Sequence, residues 1–131
     1  MTTDPAILFV CEHGAAKSVI AAEYFNKLAA EAGLGSRAVA RGTDPDDELS
    51  PKAIQGLRED GLAPNESAPQ KLSLADVESA QQIITFCELP KEYEPKAIVE
   101  HWDHVPPVSE GYENARDAIV EQIDSLIHRL R

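Results

Sequence analysis

Two cysteines, Cys11 and Cys87, carry most of the chemistry this sequence could perform. The first lies in "ILFVCEHGAAKS", residues 7–18, where four apolar residues run into a thiol and a short loop ends in Lys17 and Ser18 ahead of a helix-like run. A strand–loop–helix unit aims the loop's backbone N–H groups, and those of the first helical turn, at one point. Such a nest suits a tetrahedral oxyanion, and here Glu12, His13, Gly14, Ala15 and Ala16 would form it. A thiol at its mouth feels a field that favours thiolate, hence nucleophilic attack. Gly14 supplies the positive φ of a tight loop, and Ala15 and Ala16 keep bulk out of the turn. Lys17 brings a cation to the anion and Ser18 can donate its hydroxyl to the thiolate. Arg41, just before Gly42 and Thr43, reads either as a second anion-binding cation or as a surface arginine. The same stretch also fits a structural cysteine at a strand end with Lys17 in solvent.

Metal chemistry has less support. Cys11-x-His13 and His101-x-x-His104 are half-sites with no further ligands at diagnostic spacing, so no metal site is expected. Nothing in the sequence calls for a cofactor. Trp102 reads as packing at a strand end, where it could also wall a pocket.

The elements that must position these residues follow from pattern. Residues 6–10 are a continuous apolar run, as in a strand covered on both faces. Ile20, Tyr24, Leu28 and Ala32 then recur at fourfold spacing, and Gly33 closes the helix. Residues 36–43 read as a second strand. Ser50 at an N-cap, Pro51 at the first helical position and Gly61 past the end mark a second helix. Ser73 and Asp76 form a capping-box pattern for a third, with Leu74, Val77 and Ala80 inward. Strands follow at 82–86, ending at Cys87, and at 97–102. A last helix carries Ala115, Ile119, Ile123, Leu126, Ile127 and Leu130 on one stripe. This alternation predicts an α/β fold, a three-layer sandwich with a four-stranded parallel sheet and helices on both faces. In such sheets ligands bind beyond the carboxyl ends of the strands. Cys11, Gly42-Thr43, Cys87 and Asp103-His104 all follow strands and could share that rim.

Length and charge narrow the classes. The 131 residues suit a single domain spanning 1–131, and 43% hydrophobic residues suffice for a core. A net charge of −11 argues against nucleic acid and against anionic membranes as partners, so any anion site must be built locally. No apolar run approaches the roughly 20 residues of a membrane span, and "MTTDPAILFV" has no basic leader. The expectation is a cytoplasmic chain with free thiols.

The order of strand, C-x5-[basic]-S, long helix, "ARGT", "SPKAIQGLREDG", "IITFC" and "HWDHVPP" resembles the low-molecular-weight protein tyrosine phosphatase superfamily, closest to arsenate reductases of the thioredoxin-coupled type. The resemblance implies a nucleophilic role for Cys11, a supporting role for Ser18 and a resolving role for Cys87. It implies a small oxyanion (arsenate or phosphate) or a phosphomonoester as substrate, with thioredoxin or a small thiol as reductant. A phosphatase with a phosphocysteine intermediate, or a degenerate oxyanion- or partner-binding module, fits the same loop. Several positions depart from the family pattern. Lys17 replaces the loop arginine, exchanging a two-pronged guanidinium for a point charge. Gly14 stands where the family usually has Asn, an exchange that keeps tolerance of the left-handed conformation. Pro106 occupies the place of the aspartate general acid, for which Asp103 or His104 could substitute. Glu94 occupies the place of a third cysteine. Glu12, beside the nucleophile, would oppose its ionisation unless it faces solvent or pairs with Lys17.

Overall fold

The structure, a computed structural model, describes residues 7–64, 68–89 and 98–130. Its organising strand is β1 (Ile7–Cys11), all five residues of which are buried. Successive side chains of a strand point to opposite faces, and β1 divides accordingly. Ile7 and Phe9 enter one core, while Leu8 and Val10 enter a second. This is why the run shows no polar alternation.

Helix α1 (Lys17–Glu31) leads to β2 (Ala38–Gly42), then come α2 (Pro51–Glu59), α3 (Leu74–Ser79), β3 (Gln82–Thr85) and β4 (Ile98–His101), with a 3-10 turn at Val108–Glu110 and α4 (Tyr112–Leu130). The strands form one parallel sheet in the order β2-β1-β3-β4. The chain leaves β1 toward β2 on one side and returns to β3 on the other, which makes the gap between β1 and β3 the switch point. Cys11 ends one of these strands and Cys87 follows the other by two residues. The predicted three-layer α/β architecture is observed, with unequal layers. Helices α1, α2 and α4 cover one face, while α3 and Leu72 contribute to the smaller core on the other.

Local signals behave as their chemistry dictates. The Ser50 side chain accepts from Ala53 N, Pro51 opens α2, and Ser73 and Asp76 form both halves of a capping box. Gly33 and Gly61 follow their helices at φ 77° and 83°. Two apolar assignments differ from expectation. Leu74 is 57% exposed rather than inward, and Val77 is the buried residue of α3. Leu130, at the end of α4, is 38% exposed because its stripe runs past the core. The second strand is shorter than expected by two residues at its start and one at its end, and Ala6 and Ala97 lie outside the described residues.

One polar cluster ties three helices of the larger core together. The Asp60 carboxylate, at the end of α2, accepts hydrogen bonds from the Tyr24 hydroxyl of α1, from the Tyr112 hydroxyl of α4 at 2.8 Å and from Arg116 Nη1 at 3.1 Å. Burial alone would raise the Asp60 carboxyl, but the donors from Tyr24, Tyr112 and Arg116 outweigh it and hold the group below its ordinary value. Tyr24 is in turn pushed up to about 12 by burial and by its bond to Asp60. A carboxyl depressed by folding stabilises the fold above its unfolded pKa, and that contribution is lost as pH falls through the folded value. We therefore expect Asp60→Asn to lower the thermal midpoint near neutrality by about 5–10 °C, from about 2 kcal/mol of charge-assisted bonding. The gap between wild type and variant should close in acid, below about pH 4, as melting curves across pH would record.

Candidate active site

The loop between β1 and α1 is shaped from outside by the segment that follows β2. Thr43 N donates to Cys11 O at 3.2 Å, Asp44 N to Glu12 O at 2.8 Å, Asp46 N to His13 O at 3.0 Å and Ser50 N to Ala15 O at 2.9 Å, while Ile20 N takes Ala16 O at 2.9 Å. In a planar trans peptide the N–H points away from the C=O of the same unit. Drawing these carbonyls outward therefore turns the N–H groups of residues 12, 13, 14, 16 and 17 to the other side of the loop. Among the described residues, none of the N–H groups of His13, Gly14, Ala16 and Lys17 donates to a backbone oxygen. Helix α1 likewise has Ala16 at its N-cap and no side-chain cap.

Gly14 is needed for more than its φ of 62°. A Cβ there would lie 2.9 Å from both Cα and N of Gly42, and a Cβ on Gly42 would lie 2.7 Å from Gly14 N. Two bare backbones touch at this point. The exchange of Asn for Gly14 is therefore not the neutral one that backbone conformation alone suggests, because the space beside Gly42 excludes any side chain.

A cavity of about 470 Å³ opens over the loop, lined by Cys11, Lys17, Ser50, Lys52, Phe86 and Cys87, among others. Cys11 is 9% exposed, and its sulfur sits 3.0 Å from the Oγ of Ser18, which is fully buried. Glu12, His13, Ala15 and Ala16 also line this cavity. Glu12 turns to solvent, with Oε2 3.4 Å from His13 Nε2, and the opposite ring nitrogen of His13 lies 3.1 Å from Asp46. The carboxylate thus pairs at the rim with His13 rather than with Lys17. The Lys17 ammonium donates to Val105 O at 2.9 Å. An ammonium has three donors, so this bond anchors the cation and leaves two for an anion.

Cys87 shares the cavity with Cys11. Both cysteines are free thiols. Burial raises the Cys87 thiol; the Thr85 hydroxyl lowers it, proximity to Cys11 raises it, Thr43 lowers it and Glu12 raises it, for a net upward shift.

Three expected members stand elsewhere. Arg41 does not serve the loop: its Nε lies 3.1 Å from Asp76 and its side chain lines a separate cavity beside β2, since an acidic neighbour on α3 captures the guanidinium. Asp103 is exposed in the turn after β4 and is absent from the cavity lining. His104 instead meets Gln122 on α4 at 3.3 Å. Trp102 is buried between Phe9 and Phe86, and it is Phe86 that walls the cavity. Glu94, in the place of a third cysteine, lies outside the described residues. Among the described residues no three metal-ligating side chains gather, and no helix is long and apolar enough to cross a membrane. Sequence reasoning missed Lys52, whose ammonium donates to Ser109 O at 2.9 Å on the opposite rim. It missed Thr85 as well, and placed Thr43 on the rim with no role, because hydroxyls beside a thiol carry no sequence signature.

The family model of low molecular weight phosphotyrosine protein phosphatases matches residues 6–131. No curated protein is significantly similar to the chain in sequence. An arsenate reductase from Archaeoglobus fulgidus DSM 4304 is 25% identical, with TM-score 0.75 over 93% of this chain and 98% of that one. A thioredoxin-dependent arsenate reductase of Corynebacterium glutamicum is 24% identical, with TM-score 0.64 over 96% of this chain and 59% of that one. A low molecular weight phosphotyrosine phosphatase from Vibrio cholerae O395 is 18% identical, with TM-score 0.77 over 95% of each chain. These last two likenesses speak for the fold.

The Gly14–Gly42 contact generates a graded expectation. Gly42→Ala should cost about 1–3 kcal/mol by overpacking, and Gly14→Ala should cost about 1–2 kcal/mol more for its left-handed backbone. Urea unfolding would measure both. Inorganic phosphate should stabilise the wild type and lose that effect in either variant.

Proposed function

The chain belongs to the low molecular weight phosphotyrosine protein phosphatase family, and from that premise we propose that it is a cysteine-dependent oxyanion enzyme of the arsenate reductase kind, with Cys11 as nucleophile and Cys87 as resolving thiol. The observation that carries this reading is the pair of free cysteines lining one cavity above a loop of inward-facing N–H groups. The loop amides hold three oxygens of the bound ion and Lys17 adds charge from its anchor on Val105. The Cys11 thiolate, with the Ser18 hydroxyl turned toward it, attacks arsenic. A sulfur–arsenic bond forms, and one arsenate oxygen leaves as water.

Pro106 in the place of the family's aspartate favours this chemistry over hydrolysis. Arsenate carries its own protons, so its departing oxygen needs no aspartate, whereas an alkyl alkoxide does. Pro106 has no proton to give, and Asp103 lies outside the cavity. In the second step Cys87 ionises and attacks the Cys11 sulfur. A disulfide forms, the sulfur–arsenic electron pair passes to arsenic, and As(V) leaves as As(III). The charge on Cys11 itself opposes ionisation of Cys87. In the adduct that charge has left the sulfur for arsenate oxygens held by the loop N–H groups and Lys17, and the Cys11 sulfur has become electrophilic, which orders the two steps. An external dithiol of the thioredoxin type, or a small thiol, then reduces the disulfide.

The cavity's volume of about 470 Å³ exceeds what a bare ion needs and favours, as the second reading, hydrolysis of phosphomonoesters through a phosphocysteine. Aryl esters with good leaving groups would then react faster than alkyl ones by roughly 10²–10⁴-fold, the usual worth of a positioned acid.

Arsenate is expected to consume two thiols per chain in the wild type, none in Cys11→Ser, and to give no disulfide in Cys87→Ser, as thiol titration would record. Because burial raises the Cys87 thiol, disulfide formation should keep accelerating above the ordinary thiol value of 9.0. Thiols left intact by arsenate, with aryl phosphates hydrolysed, would replace the reductase by the hydrolase.

A further inference from the structure

The described chain buries two polar side chains completely, Ser18 and Thr85. Ser18 attends Cys11 at 3.0 Å. Thr85, the last residue of β3, attends the other cysteine. Its Oγ1 accepts from Cys87 N at 3.1 Å, donates to Cys87 O at 2.6 Å and stands 3.5 Å from Cys87 Sγ. One hydroxyl thus holds the backbone N–H, the carbonyl and the sulfur of the same residue. Thr85 also takes part in the sheet, opposite Val10 of β1 and His101 of β4, and its carbonyl accepts from Trp102 N at 3.0 Å. Its position is therefore fixed by two neighbouring strands. Thr43, directly after β2, carries a second hydroxyl whose presence lowers the Cys87 thiol. The same Thr43 binds Cys11 O through its own N–H. A residue that merely filled space at a strand end would need neither hydroxyl.

We propose that Thr85 is the positioning residue of Cys87: it sets the turn that presents the thiol to the cavity and keeps a donor beside the sulfur for the thiolate that attacks Cys11. The inference rests on the reading of Cys87 as the resolving thiol. In the resting state the Thr85 proton is committed to the Cys87 carbonyl, and the thiol can donate to the hydroxyl oxygen. When the thiol loses its proton to solvent, rotation of the hydroxyl turns that proton to the sulfur. The charged and titratable groups sharing the cavity with Cys87 are Cys11, Glu12, His13, Lys17, Asp46 and Lys52. None of them belongs to β3, and among the described residues the side-chain group hydrogen-bonded to the Cys87 sulfur is the Thr85 hydroxyl.

The test uses the reduced full-length chain and diamide as oxidant. The Cys11 thiolate adds to the diazene, and Cys87 then displaces the hydrazine to form the Cys11–Cys87 disulfide, followed by mass spectrometry. Thr85→Val should slow this step roughly 10–100-fold, the worth of a hydrogen bond to a charged group, and move the midpoint of its pH profile upward. Thr85→Ser should restore both rate and midpoint. Alkylation of Cys11 by iodoacetamide should be the same in all three proteins. A Thr85→Val variant that closes the disulfide at the wild-type rate would overturn the proposal. So would one that is slower with an unshifted midpoint, or slower at Cys11 alkylation as well, since either is a packing defect. Because diamide replaces arsenate, failure of the wild type to reduce arsenate would sink the reductase reading without touching this result.

Discussion

A row of backbone hydrogen bonds from the segment after β2 to the loop after β1 is the constraint on which the site depends. Peptide carbonyls in a tight loop would otherwise scatter between its two sides, and a loop with mixed polarity has no preference for an anion. By engaging the oxygens of Cys11, Glu12, His13 and Ala15 from behind, residues 43–50 give the loop one polarity. The two strands that carry these segments are held in parallel register, with Cys11 opposite Gly42, and the missing side chains at Gly14 and Gly42 let the backbones close to contact. Sheet register, glycine contact and carbonyl orientation are one device seen at three scales.

Electrostatics follow from that geometry. The chain carries a net charge of −11, so its long-range field repels oxyanions. Attraction must come from short-range donors, and the site concentrates them: loop N–H groups, the uncapped start of α1, and Lys17 and Lys52 held by neutral carbonyls. The acidic residues of the cavity, Glu12 and Asp46, are both engaged by His13, which is more than half exposed at its rim. A lysine in place of the loop arginine loses the fork that fits two oxygens, but the Val105 carbonyl restores part of the lost rigidity.

Much of this was legible in the sequence, for identifiable reasons. The apolar run at residues 7–10, the Ser50-Pro51 helix start and the Ser73–Asp76 capping box are local signals, and the structure keeps each. The strand–loop–helix unit with Cys11, Gly14 and Ser18 was equally local. What escaped notice depends on partners distant in sequence. Arg41 reads as a free cation until Asp76, 35 positions away, takes its guanidinium. Asp103 and His104 looked available because they follow β4, yet one faces solvent and the other meets α4. The hydroxyls around Cys87 were invisible because threonine is an ordinary strand residue until its side-chain neighbours are known.

The most direct measurement of the central claim is a titration of the isotopically labelled, reduced protein with inorganic phosphate, followed by backbone amide nuclear magnetic resonance. If the loop is polarised as described, the N–H resonances of His13, Gly14, Ala16 and Lys17 move together and saturate with one affinity, as donors gain an anionic acceptor. If those resonances stay still, or if the response is confined to Arg41 and its cavity beside β2, the loop is not the anion site and the account built on it is wrong.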